Sequence, residues 1–172
     1  QRAYLGKNSK KIDFETTVDW KERHKMLRTA FPVNVFSNEA NCDIQYGYVK
    51  RPTHRNTSWD MAKYEVAAHK YVDLSDNGYG VALLNDCKYG YKIHENVLDL
   101  NLLRSPTNPD ADADIHVHKF TYSFLPHRGT LVESSVMNDA AMMNNKALVF
   151  DGYTTDKILS PCLLSGSGVS LE

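Results

Sequence analysis

The sequence predicts a mainly β protein built as an antiparallel β-sandwich, with at most a short helix near residues 134–147. Apolar side chains recur at every second position in segment after segment, as they do on strands with one buried face. Turn-forming residues punctuate these segments at Ser37-Asn38, Asp76-Asn77-Gly78, Glu95-Asn96 and 106–109. The stretch 79–91, YGVALLNDCKYGY, passes abruptly from Val81-Ala82-Leu83-Leu84 to Asn85-Asp86-Cys87-Lys88-Tyr89. Four apolar residues need burial, whereas an amide, a carboxylate, an amine and a phenol need partners or water. A core strand therefore delivers a polar cluster to the rim of the fold, where binding groups are commonly placed.

Taken in order, Ile12, Phe14, Thr16, Val18 and Trp20 alternate with polar residues and define a half-buried strand. Leu27, Thr29, Phe31, Val33 and Val35 repeat the pattern, with Pro32 demanding a bulge or an edge position. Ile44, Tyr46 and Tyr48 predict a third strand, Tyr64, Val66 and Ala68 a fourth, 79–84 a fifth and 97–103 a sixth. Phe120, Tyr122 and Phe124 mark a seventh, stopped by Pro126. Val136, Ala140, Met143 and Ala147 fall at helical spacing, although Asn and Met make 134–146 a weak helix former. Val149-Phe150 and 158–164 resume strand character, and Ser165-Gly166-Ser167-Gly168 reads as flexible.

Composition narrows the function classes. The chain has 172 residues, 42% hydrophobic and 24% charged, with 20 Lys and Arg against 21 Asp and Glu, so its formal net charge is −1. No basic stripe argues for nucleic acid, and no apolar run approaches the roughly 18 residues of a membrane span. Residues 1–11 are basic and polar, without the apolar core of a signal peptide. Cys42, Cys87 and Cys162 have no paired spacing and are expected as free thiols.

No complete catalytic set is visible. His116 and His118 would share one strand face, with Asp110, Asp112 and Asp114 before them, but a third ligand at motif spacing is missing, so no metal is expected. The calcium-loop likeness of 110–114 fails for want of its glycine and distal glutamate. Asp139 and Asp151 have no compelling spacing as an acid–base pair, and Ser75, Ser123 and Ser135 lack a nucleophile-elbow setting. Cys87 reads as a small buried residue. The polar segment 51–60, RPTHRNTSWD, predicts a hydrogen-bonded loop in which Trp59 packs against the core or a seam. Arg104 stands where the apolar strand 97–103 meets a loop; it either grips hydroxyls or a carboxylate, or pairs structurally with Asp86 or Asp99.

The blocks RPTHRNTSWD (51–60), EVAAHKYVDLS (65–75), YGVALLNDCKYGY (79–91), LLRSPTNPDADAD (102–114) and FTYSFLPH (120–127) are collinear with one known family, as is IDFETTVDWKERHKMLRTAFPV (12–33). They resemble the carboxy-terminal β domain of family 38 α-mannosidases, in the branch of cytosolic, vacuolar and many bacterial enzymes. The resemblance implies a supersandwich like that of galactose mutarotases, and a parent that is a retaining hydrolase of terminal α-linked mannose on glycans. Such hydrolysis uses a carboxylate nucleophile and a carboxylic acid about 5 Å apart. In the family, zinc and the nucleophile belong to an amino-terminal domain not represented here. Residues 1–172 are accordingly expected to be a portion of one β-sandwich domain, inactive alone, lacking opening and closing strands and partnered by its own catalytic domain and by mannose-containing glycans. The resemblance implies no cofactor in this chain, zinc in the parent, and a cytoplasmic location, or a vacuolar one in a fungus. It places a substrate-binding arginine at Arg104, with Asn85, Asp86 and Tyr89 as neighbours, and no zinc ligand at His116 or His118. Open sheet edges make a homo-oligomer a possible state. The alternative function is a stand-alone carbohydrate-binding module using Trp59 and the tyrosines.

Overall fold

A computed structural model describes residues 1–148 together with 151 and 152; the strand character expected at 149–150 and 158–164, and Cys162, lie outside the described residues. Eleven strands form two antiparallel sheets among them: β1 (Arg2–Leu5), β2 (Ile12–Asp19), β3 (Leu27–Pro32), β4 (Glu39–Ile44), β5 (Gly47–Pro52), β6 (Val66–Ala67), β7 (Tyr71–Ser75), β8 (Tyr79–Asn85), β9 (Gly90–His94), β10 (Val97–Leu103) and β11 (Val117–Arg128). The larger sheet runs β1-β2-β11-β8-β7-β4-β5 and the smaller β3-β10-β9-β6. Helix α1 (Ser58–Ala62) lies between β5 and β6, and α2 (Val136–Asn144) follows β11.

The sheets meet across a core to which the larger contributes Ala40, Cys42, Val72, Leu74, Val81, Leu83, Phe120 and Tyr122, and the smaller Tyr91, Leu98, Leu100 and Leu102. In β10 the leucines alternate with the half-exposed Val97, Asp99 and Asn101, as period two requires. At one end Phe14 stacks on Tyr122 at 5.0 Å, and Phe31 lies 5.2 Å from Phe124. β8 does not alternate, because both of its faces are covered. Val81 and Leu83 enter the main core, while Ala82 and Leu84 join Tyr71, Leu125, Leu131, Val136 and Ala140 in a second cluster beneath α2. The weak intrinsic propensity of α2 is thus offset by tertiary packing of Val136 and Ala140.

Beside this second cluster, Asp73 is fully buried and accepts from His127 Nε2 at 2.7 Å, Asn41 Nδ2 at 2.9 Å and Ser75 Oγ at 2.8 Å. The network closes over Gly80. A Cβ there would stand 2.6 Å from Ser75 Cβ and closer still to the His127 ring, so only glycine admits the approach.

Three sequence expectations are corrected. The expected strand through Ile44, Tyr46 and Tyr48 is a hairpin: Ile44 pairs with Gly47, and Tyr46 turns the chain at φ 64° with its ring in solvent. Alternating tyrosines mimic a strand across such a turn. Pro126 does not stop β11. The pairing with β2 ends at Phe124, so on that flank Pro126 faces no ladder that needs its missing N–H. Residues 57–62 contain a helix, whose capping box reciprocally joins Thr57 and Asp60. Pro32 does end an edge strand, since among the described residues β3 pairs with β10 alone.

Candidate functional site

The strand ends at one rim gather the polar residues singled out by the sequence. β10 stops at Leu103, and the chain turns through Ser105 at φ 52°. Asp114 fastens this turn: its Oδ2 accepts from the backbone N–H of Arg104 at 3.2 Å and of Ser105 at 2.7 Å. Ser105 is buried, and its Oγ accepts from Trp20 Nε1 at 2.6 Å. Arg104 itself is exposed, and among the described residues its guanidinium has no partner. Neither structural pairing considered for it forms. Asp99 binds Arg28 Nε at 2.9 Å, and Asp86 Oδ2 accepts from Thr121 N–H at 2.9 Å. The clamped backbone thus carries a guanidinium whose five donors have no partner among the described residues.

The 85–91 segment divides between inside and outside. Asn85 is fully buried at the end of β8: Nδ2 donates to His69 O at 2.7 Å and to the buried Tyr91 hydroxyl, and Oδ1 accepts from Lys88 N–H. Its carbonyl also accepts from Asn144 Nδ2 at 3.0 Å, which ties α2 to the loop. Asn85 therefore shapes the loop from within. Asp86 Oδ1 is buried without a partner, while Tyr89 is exposed and its ring meets His69 edge-on at 5.4 Å. Lys88 Nζ lies 4.6 Å from the centre of the Phe120 ring. Tyr91, two residues beyond the polar cluster, is a core residue of β9. Cys87 is exposed, contrary to expectation, because it occupies the loop between β8 and β9; local desolvation and the adjacent Asp86 push its thiol up to about 11. A thiol at that value is a poor nucleophile at neutral pH.

The histidine pair is engaged locally. The rings of His116 and His118 lie 3.9 Å apart, and His118 Nε2 is 2.9 Å from the Asp114 carbonyl oxygen. Asp114, a candidate oxygen ligand by sequence, is the clamp under Arg104. Among the described residues no group of three or more His, Cys, Asp or Glu is arranged to hold an ion. No helix of those residues is long and apolar enough to cross a membrane.

Trp59 contradicts its expected packing: it is 79% exposed on α1, a helix with no buried residue. Met61 and Tyr64 beside it are 63% and 55% exposed. Sequence gave no warning, since the five-residue helix is too short for apolar spacing to indicate a face.

Comparison with known proteins settles the family. Residues 1–112 match the model of the glycosyl hydrolases family 38 C-terminal domain. The chain belongs to glycosyl hydrolase family 38. It is 52% identical over 138 residues to alpha-mannosidase G of Dictyostelium discoideum, a match covering 80% of this chain and 13% of that protein. It is 49% identical over 133 residues to human alpha-mannosidase 2C1, covering 77% and 13%, and 50% identical over 127 residues to an alpha-mannosidase of Saccharomyces cerevisiae, covering 73% and 12%. The chain thus spans only a small part of the length of these family 38 relatives. A crystal structure of an alpha-mannosidase from Enterococcus faecalis shares its fold, with a TM-score of 0.72 and 20% identity over 82% of this chain and 17% of that one.

Proposed function

We propose that this chain is the β-sandwich portion of a retaining α-mannosidase, with the bond-breaking carboxylates and the zinc carried by other parts of the parent polypeptide. The observation that carries this reading is the identity of about half of all aligned residues to proteins named alpha-mannosidase, over 73% to 80% of the chain. A cytoplasmic or vacuolar location belongs to the same reading.

Within it, Arg104 positions the bound sugar. Its backbone is clamped by Asp114 and by the Ser105–Trp20 contact, so the root of the side chain is held at the rim and binding has only the side-chain rotamers to order. The exposed Tyr89 phenol is a secondary contact at the neighbouring loop, whereas Asp86 Oδ1 is buried and supports the loop from inside. In the full-length enzyme, Arg104→Ala is expected to lower kcat/KM for an α-mannoside by roughly 10- to 100-fold, the worth of a charged hydrogen bond, with thermal midpoint and metal content unchanged. Steady-state kinetics and elemental analysis on the same preparation measure this, and an unaltered kcat/KM removes Arg104 from the site.

A second reading, a carbohydrate-binding module that works without a catalytic partner, draws on the exposed Trp59. It predicts glycan binding that survives loss of hydrolysis and disappears in Trp59→Ala.

A further inference from the structure

A polar recess lies on the larger sheet, at the end of β8 opposite Asn85. The register of β11 sets Tyr122 beside Asn85 at one end of β8 and Arg128 beside Tyr79 at the other. The seven residues of β8 separate those ends by about 20 Å at the rise of an antiparallel strand. Helix α2 packs over β8 and β7. Beyond it, between the β4–β5 hairpin, the turn at 76–78 and the chain at 130–132, a cavity of ≈ 530 Å³ opens to solvent. That volume falls within the roughly 300–1,000 Å³ of small-ligand sites.

The lining is nearly neutral and rich in groups that give and take hydrogen bonds. Glu39 and Lys50 offset each other at 3.3 Å, and Asp76 is the other charged residue of the wall. Buried Asp73 holds Asn41 Nδ2 at 2.9 Å and Ser75 Oγ at 2.8 Å, so Asn41 keeps Oδ1 as an acceptor. Asp76 Oδ1 accepts from the N–H groups of Gly78 at 3.0 Å and Tyr79 at 3.1 Å, which fixes that carboxylate and leaves Oδ2. Among the described residues the Tyr48 hydroxyl and the Asn77 amide make no hydrogen bond. Tyr48 is also 40% exposed and offers a ring face. Fixed acceptors, free donors and one aromatic face match a neutral polyhydroxylated ligand. A phosphate would meet the carboxylates of Glu39 and Asp76, and an apolar peptide would find little beyond Val132 and the ring of Tyr48, because Leu131 is buried.

We infer that this recess is a non-catalytic binding site for mannose-bearing oligosaccharide, with Tyr48 as the stacking face and Asn41, Asp76 and Asn77 as hydroxyl partners. The sugar named here rests on the mannosidase reading, whereas the polyol chemistry rests on the recess. Its place at the far end of β8 from Asn85 keeps it apart from the rim that holds Arg104. It therefore retains the protein on a glycan without touching the bond being cleaved. Asn41 and Ser75 are already held by Asp73, so binding there has few side chains to order.

Affinity electrophoresis of the full-length protein, in native gels cast with increasing soluble α-mannan, tests the inference. Wild type is expected to be retarded. In the Tyr48→Ala, Asn77→Ala double variant the dissociation constant read from retardation should rise roughly tenfold, the worth of one stacked ring and one hydrogen bond. Both side chains are exposed, so the denaturant midpoint should stay in place, and kcat/KM for a small aryl α-mannoside should be unchanged. Wild type that migrates freely overturns the proposal. A double variant retarded like wild type also overturns it, because the mannan is then held elsewhere, at Arg104 or at Trp59. Retardation by dextran as strong as that by α-mannan overturns the mannose-bearing ligand. The hydrolysis assay separates this inference from the reading it rests on. An active enzyme that is not retarded loses only the recess, and an inactive protein retarded through Tyr48 and Asn77 loses only the mannosidase assignment.

Discussion

Asp73→Ala is expected to destabilise the sandwich by about 3–5 kcal/mol, the cost of breaking a buried charge pair from one side. Asp73 is fully buried and serves three donors, His127 Nε2, Asn41 Nδ2 and Ser75 Oγ. Alanine leaves the buried His127 without its acceptor, while Asn41 and Ser75, which border an open cavity, can turn to water. Asp73→Asn keeps the volume and some hydrogen bonding, so it should fall between wild type and alanine. Urea unfolding monitored by circular dichroism measures both, and a loss below about 1 kcal/mol for alanine is incompatible with the network as described.

The same pair fixes a pH dependence. Burial pushes the His127 imidazole down, but the hydrogen bond and negative charge of Asp73 outweigh it, and the value is raised above the ordinary 6.5. A raised histidine contributes its stabilisation in full below the unfolded value, where both states are protonated, and loses it as pH climbs through the folded value. Stability should therefore decline on the alkaline side of pH 6.5, and this component of the slope should be absent in His127→Gln. Denaturant midpoints collected across pH test it; an unchanged slope in the variant rules out the His127 contribution.

The parts of the fold legible in sequence are those whose environment is local. The strand 97–103 is matched by β10 because alternating leucines face one core, and 79–84 is nearly all of β8 because four apolar residues admit no other placement. β7 escaped because its YVDLS contains a buried aspartate, whose partner His127 lies 54 residues away. No local pattern announces a distant acceptor–donor match. β9 escaped because Gly90-Tyr91 looks like the end of a polar loop, and Tyr91 is buried only once Asn85 closes over its hydroxyl. The candidate site divides in the same way. The position of Arg104 at a strand end followed from the apolar run before it. The role of Asp114 did not, since its contact with Ser105 exists only after the loop folds back.

Asn85 and Arg104 were proposed for the same pocket, yet their surroundings predict opposite behaviour. Asn85→Ala should cost about 3 kcal/mol or more, because the His69 carbonyl, the Tyr91 hydroxyl and the Lys88 N–H lose their partner within or beside the core, each at about 1–3 kcal/mol. The Asn144 contact is made to the Asn85 backbone and so survives the substitution. The full-length variant should unfold at lower denaturant while the folded fraction keeps its kcat/KM to within a few-fold. Arg104→Ala should do the reverse, because an exposed guanidinium with no partner among the described residues leaves nothing orphaned there. Measuring denaturant midpoint and kcat/KM on both variants separates a residue that builds the rim from one that uses it. If Asn85→Ala raises KM with an unchanged midpoint, the amide faces ligand, and the buried contacts assigned to it here are wrong.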